Sequence, residues 1–274
     1  MSRIFTQCIY LPNLRIAIKA SCGISTLPIC FIRFFPAFCF FSSFIFLVTS
    51  PPYNVDLGYN AHHKSPYDLY QDNKSHHDYI DWLHSIFGNI KPKLVSGGRI
   101  CLNIGDGKNG SVPTHSDIIQ FMTKELDYLM MSTIIWNKNT TGNRTAWGSY
   151  MSRSSPSFPS PFEFILIFAK DTKKKKGDRD KITVEKRDFI TNAWGMWAFA
   201  PETRQKKIGL GAMFPVELPR RCIEMLTYKD DVVFDPFSGL GTTCLAAKRL
   251  ERNYIGFEMS VDYCKKSRER IAND

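Results

Sequence analysis

The chain has 274 residues, 43% of them hydrophobic and 23% charged, enough for one large folded domain and unlike a disordered chain. Its net charge of +10 favours a polyanionic partner. The eight cysteines contain no CxxC pair and offer neither a zinc site nor a disulfide framework, so they are read as reduced thiols in a cytoplasm. His62-His63 and His76-His77 diverge on any regular element and have no carboxylate or Cys at ligand spacing, so no metal is expected.

Residues 1–55 contain no Asp or Glu; the first acid is Asp56. A membrane span could use the apolar run from Leu27 to Val48, but Arg33 and Pro36 interrupt it and it enters a motif that needs a folded site. Cleavage of a signal peptide near Val48 would damage the same motif. The preferred reading is an anomalous segment, 1–43, left by a frame-altered translation that joins the true frame just before Thr49. Such a segment is expected to pack poorly.

Beyond it, Phe44 to Val48 reads as a buried strand and residues 54–73 as a loop. His76 to Ile90 carries apolar residues at helical spacing, with Gly97-Gly98 closing that unit before a strand from Arg99 to Ile104. Ser116 is a candidate cap for a helix running to about Leu126. Strands are predicted over Met131 to Trp136 and Phe162 to Phe168, with a polar, Ser- and Pro-rich stretch between them. Lys173 to Lys176 reads as a solvated loop. Helix Pro215–Thr227, strand Val232–Phe234, helix Thr242–Leu250, strand Tyr254–Phe257 and helix Val261–Ala272 complete the chain. This alternation predicts an α/β doubly wound, mainly parallel sheet. The expected divisions are 1–43, 44–136, 137–213 and 214–274.

Two motifs carry chemistry. Asp235 to Thr243 reads DPFSGLGTT, between an apolar strand and a helix. Gly239 and Gly241 permit a tight turn and close ligand approach at the helix N-terminus. Glu258 ends the next strand, where a carboxylate can accept hydrogen bonds from ribose hydroxyls. The third glycine of a dehydrogenase fingerprint is missing, and Thr242 stands where a phosphate-binding loop would need Lys. The second motif, TSPPY at 49–53, stiffens a strand end with two prolines. An exocyclic base amine is a poor nucleophile because its lone pair is delocalised into the ring. Ser50 Oγ and the Pro51 carbonyl can hold its N–H groups and localise that pair. Pro52 shapes the turn, and Tyr53 offers a flat face for a flipped-out base.

LVTSPPY resembles the signature of N4-cytosine DNA methyltransferases, and DPFSGLGTT resembles that family's S-adenosyl-L-methionine (AdoMet) loop. Their order is similar to the β circular arrangement of DNA amino-methyltransferases, a group that includes N6-adenine enzymes. The resemblance runs from about Val48 to Ile271. It implies a Rossmann-like AdoMet methyltransferase sheet with an inserted target-recognition region between Trp136 and Pro215. It also implies that Ser50, Pro51, Pro52 and Tyr53 carry the chemistry. Asp235, Phe237, Gly239, Gly241 and Thr242 would surround AdoMet, Glu258 would bind its ribose, and Phe214 and Pro215 would pack beside its methionine moiety. Relatives usually open with a strand and a Gly-Asp pair that contacts the AdoMet adenine; no acid occurs here before Asp56.

Lys138, Arg144, Trp147 and Arg153 interleave basic and aromatic residues in the polar stretch, a pattern suited to double-stranded DNA. A cognate restriction endonuclease is an expected partner and a membrane is not. An RNA or small-molecule methyltransferase would need neither the insert nor the basic surface, while a non-catalytic DNA-binding remnant would suit the odd N-terminus. C5-cytosine chemistry needs a Cys nucleophile, normally in a Pro-Cys pair, and the chain has no such pair. Ser at position 50 favours cytosine N4 over adenine N6 by the same resemblance.

Overall fold

A computed structural model describes residues 8–9, 43–54, 73–139, 160–203 and 213–274. The elements in chain order are β1 (Cys8–Ile9), β2 (Phe44–Thr49), α1 (His76–Ile90), β3 (Leu94–Ile104), α2 (Thr114–Gln120), β4 (Tyr128–Asn137), β5 (Phe162–Lys170), α3 (Lys186–Asn192), β6 (Met196–Ala198), α4 (Glu217–Leu226), β7 (Val232–Asp235), α5 (Thr242–Arg249), β8 (Asn253–Glu258) and α6 (Val261–Ala272). The strands form one sheet in the order β1-β8-β7-β2-β3-β5-β4-β6. β8, β7, β2 and β3 run parallel. β5 runs against both β3 and β4, β6 is parallel to β4, and β1 is antiparallel to β8.

Core side chains explain the layering. α1 buries Tyr79, Leu83, Phe87 and Ile90, a stripe at three- and four-residue spacing, and Ser75 caps its start by accepting from the Asp78 N–H. That stripe packs with Leu47, Ile100, Leu102 and Phe234 on one side of the sheet. Phe46, Val48, Cys101 and Val233 join α4 and α5 in the other cluster. Helices therefore cover both faces, which is why the inner strands read as nearly continuous apolar runs. Cys101, Cys222, Cys244 and Cys264 are buried free thiols.

Several sequence expectations are corrected. Gly97-Gly98 does not close a unit but lies inside β3, where Phe44 and Phe46 of β2 pair with Leu94 and Arg99 across a bulge. Gly97 takes φ +74, and a Cβ there would lie 2.6 Å from the Lys174 carbonyl, so the overlying chain requires glycine. The lysine run passing over it is not wholly solvated: Lys175 is ion-paired with Asp231 and its side chain is 4% exposed. Ser116 is not a cap; α2 starts at Thr114, and the Asp106 carboxylate accepts from the His115 N–H at 3.1 Å. That helix then changes to a π-turn over Phe121–Glu125. α3 and β6 had no counterpart in the sequence reading. β5, within the stretch expected to serve target recognition, is an interior strand of the sheet.

Of residues 1–42, only Cys8–Ile9 are described, so the expectation of poor packing falls almost wholly outside the described residues. Among the described residues, no helix is long and apolar enough to cross a membrane.

Candidate active site

β7 delivers the chain into the glycine loop, and α5 leaves it. Gly239 and Gly241 both sit in the left-handed region, at φ +51 and +71. A Cβ on Gly241 would come 2.1 Å from Ser267 Oγ, so that glycine serves packing against α6. A Cβ on Gly239 would meet nothing within 4 Å, so that glycine leaves open space where a ligand can approach. Glu258, at the end of β8, accepts from the Gly239 N–H at 2.9 Å and from the Ser260 N–H at 2.8 Å. One carboxylate thus fixes both the loop and the start of α6. Phe237 faces Trp82 of α1 with ring centroids 5.6 Å apart, and Trp82 stacks on Tyr79, making an aromatic wall beside the loop. Thr242 is buried and its hydroxyl accepts from Arg270 at 3.0 Å. Phe214 and Pro215 are half-buried just before α4. Open space at Gly239, an aromatic wall and a carboxylate fit a nucleoside with free hydroxyls, as AdoMet has.

The loop is tied directly to the proline turn. Thr49 Oγ1 donates to Asp235 Oδ1 at 2.5 Å across 186 positions of chain. The same oxygen accepts from the Phe237 N–H at 3.0 Å. Asp235 is 1% exposed, and burial pushes its carboxyl up to about 6 despite these hydrogen bonds. It lies beneath the loop as a brace between β2 and β7. Both motifs therefore stand at the C-terminal edge of the parallel strands, side by side.

In the turn, Pro51 is buried while Ser50, Pro52 and Tyr53 are half-buried. Tyr79 donates its hydroxyl to the Pro52 carbonyl at 2.6 Å. Ser50 Oγ lies 3.0 Å from the Tyr53 hydroxyl, which lies 2.9 Å from Glu163 Oε2. Asn103 Nδ2 donates to both Tyr53 and Glu163 at 2.7 Å. Lys138 forms an ion pair with the other Glu163 oxygen and stands over the Trp136 ring. Burial of the Tyr53 hydroxyl, with the Glu163 charge beside it, raises that phenol well above its usual value.

Asn103 and Glu163 were missed in the sequence reading. The signal was a polar residue inside an apolar strand, RICLNI and PFEFIL, which at a buried position demands partners. Lys138 stands at the rim of the turn; Arg144, Trp147 and Arg153 lie outside the described residues. Next to Glu163, the ring of Phe164 stacks on His115 at 3.9 Å, and His115 Nδ1 is 2.8 Å from Asp106.

Comparison with known proteins agrees with this geometry. The pattern of the N6/N4 DNA methylase family matches residues 45–269. The type II methyltransferase M.MjaVI of Methanocaldococcus jannaschii is 36% identical over 164 residues, 58% of this chain and 78% of that protein. M.MjaI of the same organism is 34% identical over 190 residues, 65% of this chain and 62% of the relative. A Thermus thermophilus protein, assigned as a DNA modification methylase and solved with S-adenosyl-L-methionine, superposes with a TM-score of 0.67 at 27% identity, covering 86% of this chain and 89% of that one. The cytosine-N4-specific PvuII DNA methyltransferase shares the fold, with a TM-score of 0.62 at 23% identity over 86% of each chain. The chain therefore belongs to the N6/N4 family of DNA methylases, AdoMet-dependent enzymes that methylate an exocyclic amine of DNA.

Proposed function

We propose that this chain methylates N4 of cytosine in duplex DNA, paired with a cognate restriction endonuclease. The observation that carries the choice of base is Ser50, a neutral hydroxyl at the head of the catalytic turn.

In this reading the target base leaves the stack and lies against Tyr53. Ser50 Oγ and the Pro51 carbonyl accept the amine N–H groups; the Pro52 carbonyl is engaged by Tyr79, which favours Pro51 for that task. AdoMet supplies an electrophilic methyl group on its sulfonium. The ribose falls to Glu258, whose carboxylate sits within hydrogen-bond reach of the glycine loop. Gly239 allows close approach, Phe237 packs along the nucleoside, and Phe214 and Pro215 border the methionine moiety. The parts of 137–213 outside β5 and β6 supply target recognition, with Lys138, Arg144, Trp147 and Arg153 on the DNA. The charge of +10 suits that partner.

The test is expression in cells whose DNA lacks both modified bases, followed by nucleoside digestion and mass spectrometry. N4-methylcytosine is expected with the wild-type chain and not with Ser50→Ala. N6-methyladenine without N4-methylcytosine would reverse the choice of base and leave the cleft's chemistry standing.

A further inference from the structure

The hydrogen bonds beneath the proline turn have a fixed direction. Glu163 is buried, ion-paired with Lys138 and approached by Asn103 Nδ2, so its carboxylate acts only as an acceptor. Tyr53, 2.9 Å away, must then donate its single proton to Glu163. The phenol oxygen is left to accept, and it does so from Asn103 at 2.7 Å and from Ser50 at 3.0 Å. The one Ser50 proton is therefore committed to Tyr53, and what Ser50 Oγ has left for a ligand is lone pairs. A serine hydroxyl alone could equally donate to a neighbour; here the chain ending in an anion polarises it as an acceptor.

We propose that Glu163, acting through Tyr53, is the positioning residue that turns Ser50 into an obligatory acceptor and takes up the proton released by the methylated amine. The inference rests on the amine-methylation reading above. As the nitrogen–carbon bond forms, the carbon–sulfur bond breaks and its electron pair stays on sulfur. The methylated nitrogen, now cationic, passes a proton to Ser50 Oγ. Ser50 passes its own proton to Tyr53, and Tyr53 passes its own to Glu163, which becomes a neutral carboxyl. The positive charge of the sulfonium and the negative charge of Glu163 are both discharged, so the step balances without an added base. Glu163 then releases the proton to solvent and the two hydroxyls rotate back.

This gives a serine the role that a carboxylate could fill directly: the charge is present but stands two hydrogen bonds behind the hydroxyl. It also explains why a glutamate occupies an interior-facing position of an apolar strand.

The experiment compares Tyr53→Phe, Glu163→Gln and the double variant in single-turnover methylation of duplex DNA with labelled AdoMet. Each single variant should lose about 100-fold in rate. The double variant should be no worse than the poorer single, because the two groups act in one chain. AdoMet affinity should stay near wild type. A second readout needs no turnover: in cofactor-free protein labelled at tyrosine Cζ, the Tyr53 resonance (assigned with Tyr53→Phe) should shift in Glu163→Gln. A wild-type rate in Glu163→Gln, additive losses in the double variant, or an unmoved resonance would overturn the inference. If Glu163→Gln fails to fold, a wild-type rate in Tyr53→Phe overturns it equally. Absence of label in DNA from the wild-type chain would overturn the methylation reading and this inference together, whereas labelling at equal rates by all variants would overturn this inference alone.

Discussion

The glycine loop after β7 and the proline turn after β2 face one cleft but are held by different means. The loop is held through its main chain: Glu258 takes the Gly239 N–H, Asp235 takes the Phe237 N–H, and glycines occupy the left-handed positions. The turn is held through side chains drawn from β3, β5 and the residue just after β4, namely Asn103, Glu163 and Lys138, which meet at the Tyr53 hydroxyl and at one another. The difference follows from what each must do. A loop that receives a cofactor needs open space and exposed main chain, which side chains would fill. A turn that acts on an amine needs a hydroxyl of defined polarity, which only neighbouring side chains can impose.

The strongest way to break this comparison is to cut the tie between the two walls. Asp235→Ala leaves the Thr49 hydroxyl and the Phe237 N–H without their acceptor, so stability should fall by about 3 kcal/mol in urea unfolding. Both AdoMet binding and methyl transfer should fail with it. A loss below about 1 kcal/mol would mean that the walls are positioned independently of this brace.

A milder probe uses pH. The Asp235 carboxyl titrates near 3.8 when unconstrained and near 6 in the fold, because burial disfavours its charge. Between those values the folded chain keeps a proton that the unfolded chain has released. Stability from this group is thus full below the lower value and is lost as pH rises through the upper one, by about 2–3 kcal/mol. Wild type minus Asp235→Asn, followed by urea unfolding from pH 4 to pH 7, should decline across that window. A flat difference would show that Asp235 does not titrate as a buried acid. The smallest effect is expected at the rim: the proposed phosphate contact of Lys138 predicts that Lys138→Gln lowers the salt slope of DNA binding by about one. An unchanged slope would confine Lys138 to its ion pair with Glu163.

The same contrast decides what could be read from the sequence. The loop was legible because its requirements are local: two glycines, a strand before, a helix after and an acid ending the next strand lie close together. The parallel core was legible because α1, with Tyr79, Leu83, Phe87 and Ile90 inward, repeats at helical spacing. Glu163 and Asn103 belong to the turn only through the pairing of β3 with β5, where Asn103 opposes Ile165 and Ile104 opposes Phe164. No spacing in the chain encodes that meeting. Resemblance places Asp235 near AdoMet; its burial under the loop and its bond from Thr49 are seen only in the fold. Ser116 is not a cap because the helix starts two residues earlier, at Thr114, which puts Ser116 inside its first turn. β6, three residues long, owes its form to its neighbour β4 rather than to its own pattern.

The most direct test of the two-walled cleft measures AdoMet affinity and single-turnover methyl transfer to duplex DNA in the same two variants. Tyr53→Ala removes the face and hydroxyl of the turn, and should slow transfer by about 100-fold while AdoMet affinity stays within about threefold. Glu258→Ala removes the carboxylate of the loop, and should weaken AdoMet by about 10- to 100-fold while transfer at saturating AdoMet is largely kept. Equal losses of both quantities in both variants would contradict the division of the cleft into a cofactor wall and a base wall.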